Sequence, residues 1–139
     1  SRVTKDFGRL NRYEVAQTGE KIAIIGLGTF FELAKESAKL LKEEAGINAT
    51  VINPYYITGL DEALLTKLKQ NHDTVITLED GILDGGFGEK IARFYGASNM
   101  KVMNYGLKKE FLDRYDVDAV LKENHLTAEQ IVEDVLSIL

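Results

Sequence analysis

The segment KIAIIGLGTFFELAKESAKLLKEEA, residues 21–45, decides the fold. Its first six residues, Lys21–Gly26, form a short β-branched run that ends in glycine, a pattern typical of a buried strand. Apolar residues then recur at helical spacing through Phe31–Ala45, which predicts an amphipathic helix. A strand, a glycine turn and a helix in this order form the repeating unit of α/β proteins.

The same unit recurs along the rest of the chain. The predicted strands are Tyr13–Ala16, Lys21–Gly26, Asn48–Asn53, Thr74–Leu78 and Lys101–Tyr105. The predicted helices are Phe31–Ala45, Asp61–Gln70 and a third helix with Phe87, Ile91, Phe94 and Tyr95 on one side. Short helical pieces at Lys109–Tyr115 and Val117–Glu123 then precede a closing helix from about Ala128. Because most of these strands are apolar on both faces, they predict an α/β fold of three layers, α/β/α, around a mostly parallel sheet of about five strands.

Length and composition limit the possible functions. The 139 residues fit one domain, and we expect a lead-in or linker over residues 1–20 and a single α/β domain over residues 21–139. With 17 basic and 22 acidic residues the net charge is −5, which argues against nucleic acid or an anionic membrane as partner. The chain has no cysteine, no apolar run near the roughly 20 residues of a membrane helix and no signal-peptide core, so we expect a cytoplasmic protein.

Ligand sites in an open parallel sheet gather at the carboxyl ends of the strands, and three segments fall there. They are Gly26–Phe30, Asn53–Gly59 and Glu79–Gly88. The first contains Gly-x-Gly, as in a dinucleotide fingerprint, but the third glycine of that motif would fall at Phe31. The pattern therefore favours a tight strand-to-helix turn over NAD binding.

The third segment combines acidic residues with glycines. Glu79, Asp80 and Asp84 could hold Mg²⁺ or Ca²⁺, but acidic residues ahead of a helix more often cap it. The run Gly85–Gly88 lacks the lysine and hydroxyl that end a phosphate-binding P-loop.

The two histidines, His72 and His125, both fall away from the expected ligand edge, where turn or surface roles are usual. No spacing identifies a nucleophile, base or zinc motif. The residues by themselves favour a binding or assembly domain, or an incomplete part of an enzyme.

Five stretches together resemble a known family. They are GEKIAIIGLGTF, ATVINPYYITGLDEALL, DTVITLEDGILDGGFGEKIARFY, KVMNYGLKKEF and LTAEQIVEDVL. Their combination resembles the C-terminal domain of 1-deoxy-D-xylulose-5-phosphate synthase, a transketolase-like thiamine diphosphate enzyme, over about residues 12–139. The most specific part is the strand end Thr77–Asp80 with Gly85–Gly88, and the chain departs from the family pattern at Thr58–Asp61, where a Lys-Pro-Leu-Asp-like stretch is usual.

The resemblance implies a homodimeric, three-domain transferase that joins pyruvate to glyceraldehyde 3-phosphate, releasing CO₂, for isoprenoid and thiamine biosynthesis. Its cofactors are thiamine diphosphate and Mg²⁺, and the residues that bind and activate them belong to the two upstream domains. The resemblance thus implies no catalytic, cofactor or metal residue in this chain, which is expected to be inactive alone. Its partners would be the upstream domains of the same polypeptide and a second subunit.

The resemblance also implies a loop that faces the rest of the enzyme. Its members are Glu79, Asp80, Gly85, Gly86, Phe87 and Gly88. Two alternatives stay open: the same domain in a transketolase or a 2-oxoacid dehydrogenase E1 β-subunit, and a stand-alone protein-binding module.

Overall fold

A computed structural model describes residues 11–82, 86–107 and 117–139. The strands are β1 Glu14–Gln17, β2 Lys21–Gly26, β3 Thr50–Asn53, β4 His72–Ile82 and β5 Lys101–Leu107. The helices are α1 Phe31–Ala45, α2 Glu62–Leu68, α3 Phe87–Tyr95, α4 Val117–Glu123 and α5 Ala128–Ile138, with a 3₁₀ turn at Gly28–Phe30. The helix predicted at Lys109–Tyr115 lies outside the described residues.

The strands form one sheet in the order β1-β3-β2-β4-β5. Only the edge strand β1 is antiparallel to its neighbour, and β3, β2, β4 and β5 pair in parallel. This confirms the predicted five-stranded, mostly parallel sheet.

Successive side chains of β2 are buried on opposite faces of the sheet. Ile22 and Ile24 pack in a cluster with side chains of α1 and α5. Ala23 and Ile25 pack in a second cluster with side chains of α2 and α3. Because the central strands have two dry faces, the α/β/α layering predicted from their apolar runs is confirmed.

Several element ends differ from the predicted ones, for reasons of hydrogen bonding. β4 is longer than Thr74–Leu78 because it pairs with both β2 and β5, out to Ile82 opposite Leu107. The helix predicted from Asp61 begins one residue later, because Asp61 Oδ1 accepts a hydrogen bond from Leu64 N at 3.2 Å and caps it.

The described helices include none that is long and apolar enough to span a membrane.

Candidate functional site

The loops that follow β2 and β3 meet at the carboxyl edge of the sheet. Leu27 N donates to Leu78 O at 2.9 Å, and Gly28 N donates to Tyr55 O at 2.6 Å. A Cβ at Gly26 would lie 2.5 Å from Phe30 O. The glycine is therefore required by the tight turn into α1, as the sequence predicts.

Glu79 caps the helix that follows the glycine-rich segment. Its side chain is buried, with 2% of its surface exposed. Oε1 accepts a hydrogen bond from Phe87 N at 3.1 Å, and Oε2 accepts one from Gly88 N at 2.6 Å. The carboxylate satisfies two N–H groups that an α-helix leaves free at its start and places negative charge at the positive end of the helix dipole. The capping role predicted for an acid in this segment is confirmed for Glu79.

The other predicted members of this segment have separate positions. Asp80 is exposed and directly follows the buried run Thr74–Glu79 of β4. Gly86 is the N-cap residue of α3. Asp84 and Gly85 lie outside the described residues. The structure thus brings Glu79, Gly86, Phe87 and Gly88 together, with Asp80 turned toward solvent.

A polar pair beneath α3 was missed by sequence reasoning. Thr77 Oγ1 donates a hydrogen bond to Asn104 Oδ1 at 2.7 Å, joining β4 to β5. A Cβ at Gly88 would lie 2.5 Å from Thr77 Oγ1 and 2.6 Å from Asn104 Oδ1. Glycine at this position lets the first turn of α3 rest directly on the two strands. The available signal was Thr77, a polar residue inside the apolar run TVITL.

Phe87 anchors the same helix in the core. Its ring is 2% exposed and meets the ring of Tyr13 edge-on, with centroids 6.2 Å apart. Tyr13 Oη donates to Gly59 O, and Tyr13 N donates to Asp61 Oδ2 at 2.9 Å. Burial raises the pKa of the Tyr13 hydroxyl to about 12. Tyr13, in the segment predicted as a lead-in, therefore connects α3 to the loop that departs from the family pattern.

Two tyrosines project from the loop after β3. Tyr55 has a φ of 58°, a left-handed conformation that costs a non-glycine residue roughly 1–2 kcal/mol. Its Oη donates to Glu14 Oε2 at 3.0 Å, and this bond raises the pKa of Tyr55. Tyr56 is 77% exposed, and its Cε1 lies 2.8 Å from where a Cβ of Gly28 would be. Sequence reasoning placed this loop at the correct edge without singling out either ring.

His72 lies at the opposite edge of the sheet, as expected, but as the first residue of β4. Its Nδ1 lies 3.1 Å from Leu68 O, and because a carbonyl oxygen only accepts, Nδ1 is the donor. In the neutral ring, Nε2 then accepts a hydrogen bond from Thr50 Oγ1 at 2.7 Å. Burial lowers the pKa of His72. These contacts tie β3 to β4, which is a structural role.

His125 lies closer to the carboxyl edge than the sequence suggests. It borders a cleft of about 360 Å³ that is also lined by Asn104 and Tyr105 of β5. Asp134 Oδ2 accepts hydrogen bonds from His125 Nδ1 at 3.0 Å and from Tyr105 Oη at 2.8 Å. Burial, followed by the bond to Asp134, raises the pKa of Tyr105. The shared carboxylate fastens α5 to β5 and to the turn after α4.

Comparison with known proteins identifies the fold family. The sequence profile of the transketolase C-terminal domain matches residues 11–131. The chain belongs to the transketolase C-terminal domain family. It is 36% identical over 126 residues to the 1-deoxy-D-xylulose-5-phosphate synthase of Symbiobacterium thermophilum, covering 89% of this chain and 19% of that protein. It is 34% identical over 130 residues to the synthase of Clostridium tetani, covering 92% of this chain and 21% of that one.

This transketolase C-terminal domain thus spans about a fifth of the length of the curated relatives it matches. It is homologous to the C-terminal region of these synthases, as the sequence resemblance predicts.

Solved structures show the same fold. A split-gene transketolase described as an inactive β4 tetramer superposes with a TM-score of 0.80 at 28% identity, over 91% of this chain and 42% of that one. The transketolase of Campylobacter jejuni superposes with a TM-score of 0.62 at 16% identity, over 93% of this chain and 19% of that one, and shows the fold alone.

The start of α3 does not offer an open anion site. Two of its N–H groups, of the kind that bind phosphate at other helix N-termini, already donate hydrogen bonds to the carboxylate of Glu79. Within the described ranges, no three histidine or acidic side chains are grouped so as to hold a metal ion. The carboxyl edge, so far as the structure describes it, is organised to fix a helix and its loops.

Proposed function

We propose that this domain is the third, C-terminal domain of a 1-deoxy-D-xylulose-5-phosphate synthase, in which it has a structural and assembly role. The full polypeptide would join pyruvate to glyceraldehyde 3-phosphate with release of CO₂, for isoprenoid and thiamine biosynthesis. The observation that carries the structural role is the use of Glu79, the one buried carboxylate at the carboxyl edge among the described residues, as a helix cap. The names of the relatives support the choice of reaction.

In this proposal, residues 21–139 form the body of the domain and residues 1–20 lead into it, with β1 adding the edge strand of its sheet. The loop from Glu79 to Gly88 faces the rest of the enzyme. Exposure of Asp80 supports this orientation, since the side chain projects from the edge where Glu79 is fixed inward. Glu79, Phe87 and Gly88 hold the loop in shape, and Asp80 and Gly86 would make the contacts.

Thiamine diphosphate and Mg²⁺ would bind to the upstream domains of a cytoplasmic homodimer. Thiamine diphosphate would supply the carbanion chemistry there, while this domain contributes no group to the reaction. The isolated chain would therefore be inactive. This part of the proposal is supported by the hydrogen bonds that Phe87 N and Gly88 N, at the start of α3, donate to the carboxylate of Glu79.

One observation favours a second candidate, the same domain in a transketolase. The split-gene transketolase superposes with a TM-score of 0.80, and this chain covers 42% of that subunit. A chain of this family can thus be part of a shorter transketolase subunit as well as of a long synthase.

Assays of the full polypeptide separate the two. Its complete reading frame should be expressed and supplied with thiamine diphosphate, Mg²⁺, pyruvate and glyceraldehyde 3-phosphate. We expect formation of 1-deoxy-D-xylulose 5-phosphate with matching CO₂. Transketolase activity without this product would replace the synthase proposal, and a reading frame that encodes only this domain would favour a stand-alone binding module.

A further inference from the structure

Two exposed aromatic rings on a constrained loop form the most unusual surface of the described residues. Tyr55 is 49% and Tyr56 77% exposed, whereas Tyr13, Tyr95 and Tyr105 are each less than a tenth exposed. Large aromatic side chains that remain exposed in this way are typical of the centre of protein interfaces. We call Tyr55 and Tyr56 the tyrosine pair.

The loop is held in one shape before any partner binds. Gly28 N donates to Tyr55 O at 2.6 Å, Tyr55 N donates to Asn53 Oδ1 at 2.8 Å, and Ile57 N donates to Pro54 O at 3.0 Å. The left-handed backbone of Tyr55 is kept by these bonds and by the one from its hydroxyl to Glu14. Strained residues persist where surrounding contacts fix them, and they concentrate at functional sites. A preorganised loop also loses less entropy when a partner binds.

The path of the chain indicates what covers the pair. β1 runs antiparallel to β3, with Glu14 opposite Asn53, so the polypeptide enters the domain at the edge from which the tyrosines project. Glu14 bonds Tyr55, and Asn11 lies against Gly59 in the same loop. In a protein of which this chain is about a fifth, the domain that precedes it would arrive beside the pair.

The charges around the pair are of both signs. The exposed carboxylate of Glu14 accepts a hydrogen bond from Tyr55 Oη at 3.0 Å. Exposed Lys90 donates from Nζ to Thr58 O at 3.3 Å, in the same loop. A surface complementary to two aromatic rings with such a rim is apolar at its centre and polar at its border.

We infer that the tyrosine pair is the docking surface for the preceding domain of the same polypeptide, which covers both rings with an apolar patch bordered by polar side chains. The inference rests on the proposed function, since it requires that domain. It adds a contact from the loop after β3 to the one proposed for the loop at residues 79–88.

Hydroxyl-radical footprinting of the full polypeptide tests the inference with an internal reference. Tyrosine oxidation follows solvent exposure, and Tyr95, with 2% exposure, gives the rate of a buried ring. If the pair is docked, Tyr56 reacts within about twofold of Tyr95, because an interface core excludes water. If Tyr56 reacts at the rate of an exposed tyrosine in a reference peptide, the inference is wrong.

A variant pair in the full polypeptide adds a second measurement. Tyr56→Ser should loosen the docked surface and raise the oxidation of Tyr55 several-fold. Leu139→Ser changes another exposed apolar side chain, at the end of α5, and should leave Tyr55 oxidation unchanged. Equal effects of the two variants would contradict docking at the pair.

Synthase activity measured on the same sample separates this inference from the proposed function. Product formation with a freely reactive Tyr56 would overturn the docking surface alone. Protection of Tyr56 without synthase activity would overturn the reaction and keep the surface. Protection that is lost on dilution, in step with dissociation in sedimentation, would assign the pair to a second copy and overturn the inference.

Discussion

Replacing Glu79 by alanine should destabilise the domain more than any change on its surface. The carboxylate accepts hydrogen bonds from Phe87 N at 3.1 Å and Gly88 N at 2.6 Å, and both atoms are buried with it. A hydrogen bond to a charged group contributes about 1.5–3 kcal/mol, so Glu79→Ala should lower the free energy of unfolding by roughly 3–5 kcal/mol. Glu79→Gln keeps one acceptor and turns a donor toward the other N–H, so its loss should be about half as large.

Urea unfolding, followed by circular dichroism, measures this effect. With a slope of about 2 kcal/mol per molar urea, Glu79→Ala should lower the midpoint by roughly 2 M. The matched control is Asp80→Asn, which removes the neighbouring, exposed carboxylate and should change stability by less than about 0.5 kcal/mol. If Glu79→Ala unfolds at the same urea concentration as Asp80→Asn, Glu79 does not hold α3 and the structural account of this edge is wrong.

Three further variants test other parts of the site. Phe87→Ala should lower the free energy of unfolding by about 3 kcal/mol, because it empties a buried ring position, and an unchanged thermal midpoint would show that the ring is exposed. Gly88→Ala should cost roughly 1–3 kcal/mol by forcing a methyl group against Thr77 and Asn104, and the cost should fall when Asn104→Ala is added; no recovery in urea unfolding would contradict the steric reason. Burial lowers the pKa of His72 in the folded state, so the neutral ring favours the folded state. This contribution to the free energy of unfolding is present above the unfolded pKa of about 6.5 and is lost as the pH falls through the lower folded pKa. Stability should therefore rise more steeply between pH 5 and 7 in the unmodified protein than in His72→Gln, and equal slopes in urea titrations would refute this.

Local signals were sufficient for most of the fold. The bounds of α1 agree with the prediction at both ends because two glycines fix them. Gly26 makes the tight turn before the helix, and Gly46, with a φ of 69°, ends it. The parallel sheet between two layers of helices followed from strands that are apolar on both faces. This pattern is visible in each strand alone, without knowledge of its partner strands or their register.

Contacts between distant parts of the chain could not be predicted in the same way. Glu79 caps a helix that begins eight residues later, across a glycine-rich segment, so no capping box marks it. Tyr13 lies in a polar stretch, and its burial depends on Phe87, far along the chain. The full length of β4 depends on its two partner strands. The sequence thus predicted the location of the site, at the carboxyl edge of the sheet. The hydrogen bonds within the site could be identified only in the folded chain.

The central claim is that this domain supports the enzyme without holding its cofactor. Isothermal titration of thiamine diphosphate with Mg²⁺ into the isolated 139-residue chain tests it most directly, on protein that shows a cooperative urea transition. We predict no saturable binding, because the N–H groups that begin α3 are occupied by Glu79. Tight binding that requires Mg²⁺ would contradict the claim and would place a cofactor site in this domain.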